Sequence, residues 1–260
     1  MLGAIFGDVV GSRFEWHNTK SKEFELLTPK CSPTDDSVMT CAVAEALLTG
    51  ADPAAVMQKW GRSHPDYGYG GSFGRWIYAE NPAPYNSWGN GSGMRTSSVG
   101  WLCSSMEQVL AEAERISAVT HNHPEGIKGA QAVSAAVYLA RTGTDKEAIR
   151  AYLTEHFYPL DFTLDEIRPD YDFDVSCQGS VPQALEAFLE SESFEDAIRC
   201  AISIGGDSDT IAAMTGAVAE AYYGIPDELV QRLLPYLDEE MLDILRAFGK
   251  ATGLYTKLIR

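Results

Sequence analysis

The sequence predicts an all-α protein folded as a single compact domain over residues 1–260. Apolar residues recur at three- and four-residue spacing along most of the chain, which is the period of an amphipathic helix. Many of these stretches begin with Ser, Thr, Asp or Pro, the residue types that start helices. The best candidate for a strand is the segment YDFDVSC at 171–177, where the alternation of apolar and polar residues is weak.

Ten stretches carry the helical pattern strongly enough to be assigned in chain order, after a first short helix that ends before Glu15. In the stretch GIPDELVQRLLPYL, Pro226 can open the helix, and Leu229 and Leu233 lie on one face. Two long regions, 64–100 and 157–180, are predicted to be mainly non-helical, and loops of that length are usually functional or disordered. The ten predicted helices are 36–48, 53–63, 107–118, 128–141, 145–156, 181–190, 194–204, 209–223, 226–236 and 238–249.

The composition is that of a packed globular protein with an acidic surface. Of its 260 residues 45% are apolar, and 20 Lys and Arg stand against 37 Asp and Glu, a formal net charge of −17. Such a surface repels phosphate backbones and anionic lipids, so we expect neither general nucleic-acid binding nor membrane-surface binding. No stretch approaches the roughly 20 apolar residues that a membrane-spanning helix needs.

The cysteines and the first residues indicate the compartment. Five scattered cysteines without a CxxC argue against a disulfide framework and against a thiolate zinc site, and they favour a reducing environment. The stretch MLGAIFGDVVGS lacks a basic n-region and its apolar run is interrupted by Asp8, so no signal peptide is evident. These features predict a soluble cytoplasmic protein, with a monomer as the default oligomeric state.

Two helix starts about 170 residues apart carry similar polar groups. Taken alone, each pattern is typical of helix capping, because a Thr N-cap and first-turn carboxylates suit the positive end of the helix dipole. If the two starts meet, however, four carboxylates would repel one another, and a hard divalent cation relieves such repulsion. Two cations would fit the number of oxygen ligands. The residues are Thr34, Asp35 and Asp36 at the first start, and Asp207, Asp209 and Thr210 at the second.

Five motifs in order along essentially the whole chain resemble the ADP-ribosylglycohydrolase family. They are GDVVGSRFE, TDDSVMT, GNGSGMR, THNHPEGIKGA and GGDSDTIAAMTGAVAEAYYG, and the combination of TDD with GGDSDT is the most specific. The resemblance implies an all-α fold with two Mg²⁺ ions, or Mn²⁺, in a cleft. It also implies hydrolysis of the bond between the anomeric ribose carbon of ADP-ribose and an acceptor on a protein or small molecule, such as arginine, serine or an O-acetyl group.

The resemblance assigns roles to the acidic residues. The residues at 34–36 would bind one metal and those at 207–210 the other, with Asp209 bridging the two. Glu15 matches a glutamate that lies on a mobile segment beside the metals in some members, which implies a metal-linked or gating role; from spacing alone it is a solvated acid in a loop. We hypothesise that Asp35 is the general base or acid, with Glu15 as the second candidate.

A glycine-rich loop at 89–95 leads into TSSVGWLCSSM, which is predicted to be helical. Glycines let backbone N–H groups approach a phosphate and an arginine adds a fork of donors, although the Walker A pattern is missing. From the residues alone, a turn-rich loop without a ligand fits better. The resemblance implies instead that the loop binds the diphosphate and ribose of ADP-ribose through Gly89, Asn90, Gly91, Ser92, Gly93, Met94 and Arg95.

The segment THNHPE at 120–125 precedes a helix, with Pro124 in its first turn. Its HxH pattern could suit zinc, but no further His or Cys lies at a typical ligand spacing, and a surface or capping role is commoner. The resemblance places His121 beside ADP-ribose as a substrate-binding residue and leaves His123 without an assigned role.

Two further segments have more than one interpretation. The aromatic residues between 67 and 88 either stack on adenine and wall the acceptor side, or pack as a satellite core. The segment CQGSVP at 177–182 is expected to have a structural role, covering the cleft.

Other functions remain open at this level. A two-metal nucleotide pyrophosphohydrolase would use the same carboxylates and would release AMP. A non-catalytic ADP-ribose-binding module or a structural protein would have no need for six metal-site residues. Among acceptors, arginine is favoured because an acidic cleft suits a cation, while serine, acetyl and free metabolites stay as alternatives.

Overall fold

The structure is a computed structural model that describes residues 1–255, and it is all-helical. Across that range there are three 3₁₀ turns, at Ser12–Phe14, Asn90–Ser92 and Leu234–Tyr236, and the only β-type pairing is one antiparallel bridge between Gly89 and Ser176. The α-helices are α1 (Leu2–Gly11), α2 (Asp35–Thr49), α3 (Pro53–Ser63), α4 (Gly71–Ile77), α5 (Ser97–Leu102), α6 (Met106–Ser117), α7 (Pro124–Arg141), α8 (Lys146–His156), α9 (Leu164–Ile167), α10 (Cys177–Glu190), α11 (Phe194–Ser203), α12 (Ser208–Tyr223), α13 (Asp227–Leu233) and α14 (Glu239–Thr252).

The predicted all-α class is confirmed, and each of the ten predicted stretches coincides with a helix whose ends are shifted by a few residues at most. The predicted helix after the glycine-rich loop is α5. The segment 171–177 forms no strand and contributes only the bridge at Ser176.

Residues 64–100 and 157–180 are mainly non-helical, as predicted, but they contain the short helices α4 and α9, which the sequence does not predict. In α4, Phe73, Trp76 and Ile77 are buried, and Gln58 of α3 donates from Nε2 to the Trp76 carbonyl (2.9 Å). Tertiary packing therefore holds a helix where the glycine content predicts none. The single turn of α9 is held by a capping box between Thr163 and Glu166.

Helix α12 lies at the centre of the protein, buried from Ser208 to Glu220, with α1, α7, α10 and α11 packed around it. Its contact with α1 is backbone to backbone, since a Cβ on Gly7 would lie 2.0 Å from the Ala212 carbonyl oxygen. Only glycine allows such an approach. The contact brings the C-terminal end of α1 beside the N-terminal start of α12.

The buried apolar side chains form one continuous core. All five cysteines are buried and free. Among residues 1–255, no helix combines the length and the apolar character needed to cross a bilayer. The single domain over 1–260 stays a prediction, and its last five residues lie outside the described part of the chain.

Candidate metal centre and cleft

The starts of α2 and α12 meet in space. The Thr210 hydroxyl donates to Asp36 Oδ2 at 3.1 Å, across a separation of 174 residues in sequence. Carboxylate oxygens of Asp8, Asp36 and Asp209 lie within 4.8 Å of one another, and so do those of Glu15, Asp207 and Asp209. Asp209 therefore belongs to both groups of acids, which we call together the carboxylate cluster.

Asp8 connects α1 to the start of α2. Its Oδ2 accepts hydrogen bonds from the backbone N–H of Thr34 (2.9 Å) and of Ser37 (3.0 Å), and its Oδ1 accepts from the Thr34 hydroxyl (2.7 Å). The Ser37 hydroxyl donates to it as well. Burial nevertheless raises the pKa of Asp8 to about 6, and these bonds oppose that rise.

The start of α2 follows the expected capping geometry. Thr34 is the N-cap, and its side chain accepts from the Asp36 backbone N–H (3.3 Å). Asp36 is buried and its Oδ1 has no hydrogen-bond partner among residues 1–255. Asp35 is partly buried, lines the cleft, and its backbone N–H is held by the Tyr67 carbonyl (2.7 Å).

The start of α12 departs from the capping interpretation. The preceding turn has both Gly205 and Gly206 at φ +74°, a backbone conformation that glycine adopts readily. Asp207 is the N-cap residue but makes no side-chain capping bond; its Oδ2 accepts instead from Asn90 Nδ2 at 2.7 Å. Asp209 Oδ1 accepts from the backbone N–H of Thr210 (3.0 Å).

The electrostatics of the carboxylate cluster are those of crowded, uncompensated acids. Burial, reinforced by the neighbouring carboxylates, raises the pKa of Asp35 to about 8 and that of Glu15 to about 7, and it raises the pKa values of Asp36 and Asp209 well above their usual range. Among the described residues no Lys, Arg or His forms an ion pair with these acids.

The donor set fits a hard divalent cation. Carboxylate and hydroxyl oxygens are the ligands that Mg²⁺ and Mn²⁺ take in proteins. Asp36 Oδ1 is buried without a hydrogen-bond partner, and burying it costs free energy unless a donor or a cation pairs with it. Both three-carboxylate groups meet at Asp209, which is the arrangement expected of a ligand shared by two ions.

The segment that carries Glu15 is fixed to the turn before Asp207. Asn18 donates from Nδ2 to the carbonyls of Phe14 (2.6 Å) and Gly206 (2.9 Å), and its Oδ1 accepts from the Gly206 N–H (2.9 Å). Lys20 Nζ reaches the Ile204 carbonyl at 2.6 Å. Hydrogen bonds from the Asn18 and Lys20 side chains to the backbone thus hold the segment that places Glu15 in the cluster.

The carboxylate cluster forms one end of a cleft of about 760 Å³, a size that suits a nucleotide-sized ligand. Of the predicted site residues, those lining the cleft are Glu15, Asp35, Asp36, Gly89, Asn90, Gly91, Met94, Arg95, His121, Asp207, Asp209 and Thr210.

The other three predicted site residues lie behind this surface. The Thr34 hydroxyl is turned to Asp8, and the Ser92 hydroxyl donates to the Gly126 carbonyl (2.7 Å). Gly93 packs on α12, where a Cβ would lie 3.0 Å from Met214 Sδ. Their predicted roles in metal or substrate binding stay predictions.

The glycine-rich loop is held by the start of α10. The Asn90 N–H donates to the Val175 carbonyl (2.7 Å), and the Cys177 N–H donates to the Trp88 carbonyl (2.9 Å). The Cys177 thiol lies 3.1 Å from the Gly89 carbonyl oxygen, and burial raises its pKa to about 12, so it stays a thiol. These contacts support the structural role expected for CQGSVP.

Arg95 and His121 lie side by side in the wall of the cleft. Arg95 is only 1% exposed, and its Nη2 donates to Thr120 Oγ1 (2.8 Å). Burial and the charge of Arg95 lower the pKa of His121 well below its usual value. His123, by contrast, is the N-cap of α7, where its Nδ1 accepts from the Glu125 N–H (3.1 Å).

The aromatic residues divide between the cleft and the core. Phe73, Tyr85 and Trp88 line the cleft, whereas Tyr67 and Tyr69 are partly buried against the core. Two aromatic residues at the mouth were not assigned from the sequence. The exposed rings of Trp16 and Phe173 stack with centroids 5.2 Å apart and planes 22° apart.

Sequence reasoning missed two polar residues. They are Asp8, in the GDVVGS motif, and Asn18, and neither is assigned a role from the sequence. The signal for Asp8 was available, because Gly3, Gly7 and Gly11 are spaced four apart around it, a pattern that indicates a close helix contact. Asn18 carries no such pattern, since its contacts are with a turn almost 190 residues away.

Comparison with known proteins places the chain in a family. The ADP-ribosylglycohydrolase family model matches residues 1–256. ADP-ribosylhydrolase ARH3 of Homo sapiens is 26% identical over 96% of this chain and 93% of its own length. ADP-ribosylarginine hydrolase Tri1 of Pseudomonas putida is 32% identical, over 45% of this chain and 34% of its own. A solved ADP-ribosylglycohydrolase-related protein complex has the same fold, with a TM-score of 0.73 at 24% identity over 96% of this chain and 95% of that one. The chain belongs to the ADP-ribosylglycohydrolase family.

Proposed function

We propose that this protein is a divalent-metal-dependent ADP-ribosyl hydrolase, which cleaves the bond between the anomeric ribose carbon of ADP-ribose and an acceptor and releases ADP-ribose. The observation that carries the proposal is the carboxylate cluster at one end of a cleft whose wall is formed by a glycine-rich loop and Arg95. Membership of the family and the names of ARH3 and Tri1 support the same activity.

Two Mg²⁺ ions, or Mn²⁺, would be held by the two groups that share Asp209. Asp36 and Thr210 sit at the first group and Asp207 and Glu15 at the second. The Thr210 hydroxyl proton points to Asp36, which leaves its oxygen lone pairs for a cation. The Thr34 oxygen already accepts the Asp36 backbone N–H, so it has one lone pair left for a cation. When bound, such ions supply Lewis acidity and orientation at the ribose hydroxyls.

Asp35 is the proposed group for proton transfer, with Glu15 as the second candidate. Asp35 lines the cleft and lies outside both three-carboxylate groups, so we propose that its carboxyl serves proton transfer beside the metal-ligand role predicted for it. Its backbone is fixed by the Tyr67 carbonyl, which orients the side chain. A fixed carboxyl next to the anomeric carbon can take a proton from the attacking water or give one to the leaving group.

The loop half of the cleft is proposed to bind the diphosphate and ribose. Gly89, Asn90 and Gly91 line the cleft, and Arg95 supplies a positive charge opposite the acids. An anionic diphosphate needs a positive partner such as the Arg95 guanidinium, because the protein as a whole has a net charge of −17.

Arginine is the proposed acceptor, with serine and acetyl linkages as alternatives. Trp16 follows Glu15 in sequence, and Phe173 precedes Asp174, so the stacked rings at the mouth are flanked by carboxylates that also line the cleft. Aromatic faces and carboxylates together suit a guanidinium group. The name of Tri1, an ADP-ribosylarginine hydrolase, points the same way.

The first test is calorimetric titration of ADP-ribose into the full chain, with Mg²⁺ and then with EDTA. We expect binding that weakens markedly when the metal is removed, since the carboxylates then repel the substrate's negative charge. Absence of binding in both conditions would contradict the proposal.

The second test separates the reactions by their products. Arginine-, serine- and acetyl-linked ADP-ribose are incubated with the protein and Mg²⁺, and the nucleotides are separated by chromatography. Intact ADP-ribose, released fastest from the arginine linkage, is the expected product. Formation of AMP and ribose phosphate would favour a pyrophosphohydrolase instead.

A further inference from the structure

We infer that Arg95 and Thr120 hold His121 as the neutral tautomer with its proton on Nε2, so that His121 presents a hydrogen-bond donor to the bound nucleotide. Arg95 and Thr120 are then positioning residues that act through His121. The identity of the ligand rests on the proposed function, whereas the tautomer is a property of the free protein.

The Arg95 guanidinium determines which groups donate and which accept in the hydrogen bonds around Thr120 and His121. Arg95 has donors only, so Thr120 Oγ1 must accept the 2.8 Å bond from its Nη2. Thr120 Oγ1 also lies 2.7 Å from His121 Nδ1. The hydroxyl has one proton, and giving it to Nδ1 makes that ring nitrogen an acceptor.

A second contact disfavours a proton on Nδ1. Arg95 Nη2 lies 3.5 Å from His121 Nδ1, so a protonated Nδ1 would turn its N–H towards a guanidinium N–H. An unprotonated Nδ1 instead offers its lone pair to both neighbours.

The opposite edge of the imidazole faces the cleft. His121 lines the cleft, and its Nε2 has no hydrogen-bond partner among residues 1–255. A Cβ on Gly91 would lie 3.3 Å from Nε2, and one on Gly89 3.6 Å from it, so both glycines leave the nitrogen uncovered. A proton on Nε2 therefore points at the space where a ligand oxygen would sit.

The ring also stays uncharged. His121 is 5% exposed, and the adjacent guanidinium disfavours a second positive charge. A neutral imidazole with a fixed tautomer is a directed donor that needs no protonation step, unlike a surface histidine near its ordinary pKa.

The direct test is ¹⁵N NMR of the histidine side chains in the labelled full chain near neutral pH, without nucleotide. The signals of His121 are assigned by their loss in His121→Gln. We expect a protonated, pyrrole-type Nε2 and an unprotonated, pyridine-type Nδ1. A proton on Nδ1, or a doubly protonated ring, would overturn the inference.

The functional test is ADP-ribose titration in Mg²⁺. Thr120→Val, which loses the hydroxyl, should bind about tenfold more weakly, because one oriented hydrogen bond is lost. Thr120→Ser, which keeps the hydroxyl, should retain both the tautomer and the affinity. The control is Thr215→Val, a buried threonine bonded to the Ala184 carbonyl in the core.

The outcomes distinguish a failure of the His121 inference from a failure of the proposed function. If Thr120→Val binds ADP-ribose as tightly as the wild type, Thr120 does not position His121. If the wild type itself does not bind ADP-ribose, the proposed function fails, while the NMR measurement still decides the tautomer. If Thr120→Val does not fold, Thr120→Ser and the wild-type spectrum remain decisive.

Discussion

The two ends of the cleft are built in different ways. At the carboxylate end the backbones of α1 and α12 touch, and the acids come from the ends of packed helices. At the other end the loop at 89–95 has a single 3₁₀ turn and is held by bonds such as Asn90 N–H to the Val175 carbonyl. The acidic groups are therefore positioned by helix packing, whereas the loop at 89–95 is positioned by a few polar contacts. Substitutions at the carboxylate end should lower both the stability of the whole protein and its turnover. Substitutions at the loop end should have effects confined to that end.

The largest effect is expected from Asp209→Asn, because Asp209 is shared by both three-carboxylate groups. Turnover should fall about a thousandfold or more, since the proposed metal centre would supply much of the transition-state stabilisation. ADP-ribose release and circular dichroism should show an inactive, folded protein. Asp227→Asn, an exposed first-turn acid of α13 outside the cleft, is the matched control. Retained activity in Asp209→Asn would contradict the two-metal proposal.

Gly7→Ala tests the helix contact beneath the carboxylate end. Its Cβ would lie 2.0 Å from the Ala212 carbonyl, so α1 must move away from α12. The free energy of unfolding should drop by about 3 kcal/mol in urea denaturation, as for an overpacked core. Gly74→Ala, in α4, meets nothing closer than 4.0 Å and should leave stability nearly unchanged. Equal stability of the two variants would show that the contact is dispensable.

Asn18→Ala tests the link between the Glu15 segment and the turn before Asp207. Losing its bonds to Phe14 and Gly206 frees Glu15 without touching the loop end. The turnover number should fall about tenfold while the Kd for ADP-ribose changes little. The control is Asn81→Ala, at an exposed position away from the cluster. An equal loss of affinity would instead assign Asn18 to ligand binding.

The smallest effect is a pH dependence at the loop end. Burial and Arg95 lower the folded-state pKa of His121, so protons bind the unfolded chain more tightly. The stability contributed by neutral His121 is present above about pH 6.5 and is lost as the pH falls, at up to about 1.4 kcal/mol per pH unit. Urea denaturation between pH 7.5 and 5.5 should show a steeper loss for the wild type than for His121→Gln. Parallel curves would show that His121 is not buried as a neutral ring; His17→Gln, at an exposed position, is the control.

The sequence predicts the helices whose apolar spacing is regular, and it misses those held by tertiary contacts. Both α2 and α12 are evident from their periodicity, whereas α4 depends on burying Phe73 and Trp76 against its neighbours. The capping interpretation is right at Thr34 but not at Asp207, which accepts from Asn90 instead. Local residue type cannot distinguish these two cases, because the partner of Asp207 is 117 residues away.

The candidate site shows the same division. The acids at the two helix starts could be singled out because two similar motifs occur at two helix beginnings. Their convergence, and the part that Asp8 plays in it, depends on how closely α1 approaches α12, which follows from backbone packing. The relation among Arg95, Thr120 and His121 depends on hydrogen-bond directions that no residue pattern records.

The separation of the clustered acids along the chain has a consequence for how the protein matures. Asp8 and Asp209 are about 200 residues apart, so their carboxylates cannot meet until most of the polypeptide has been synthesised and packed. Pairings across such long loops form late in folding. Metal capture should therefore coincide with completion of the native state, and a nascent or truncated chain that lacks α12 should remain unable to retain the ion. Retention of the ion would therefore report that the last steps of folding are complete.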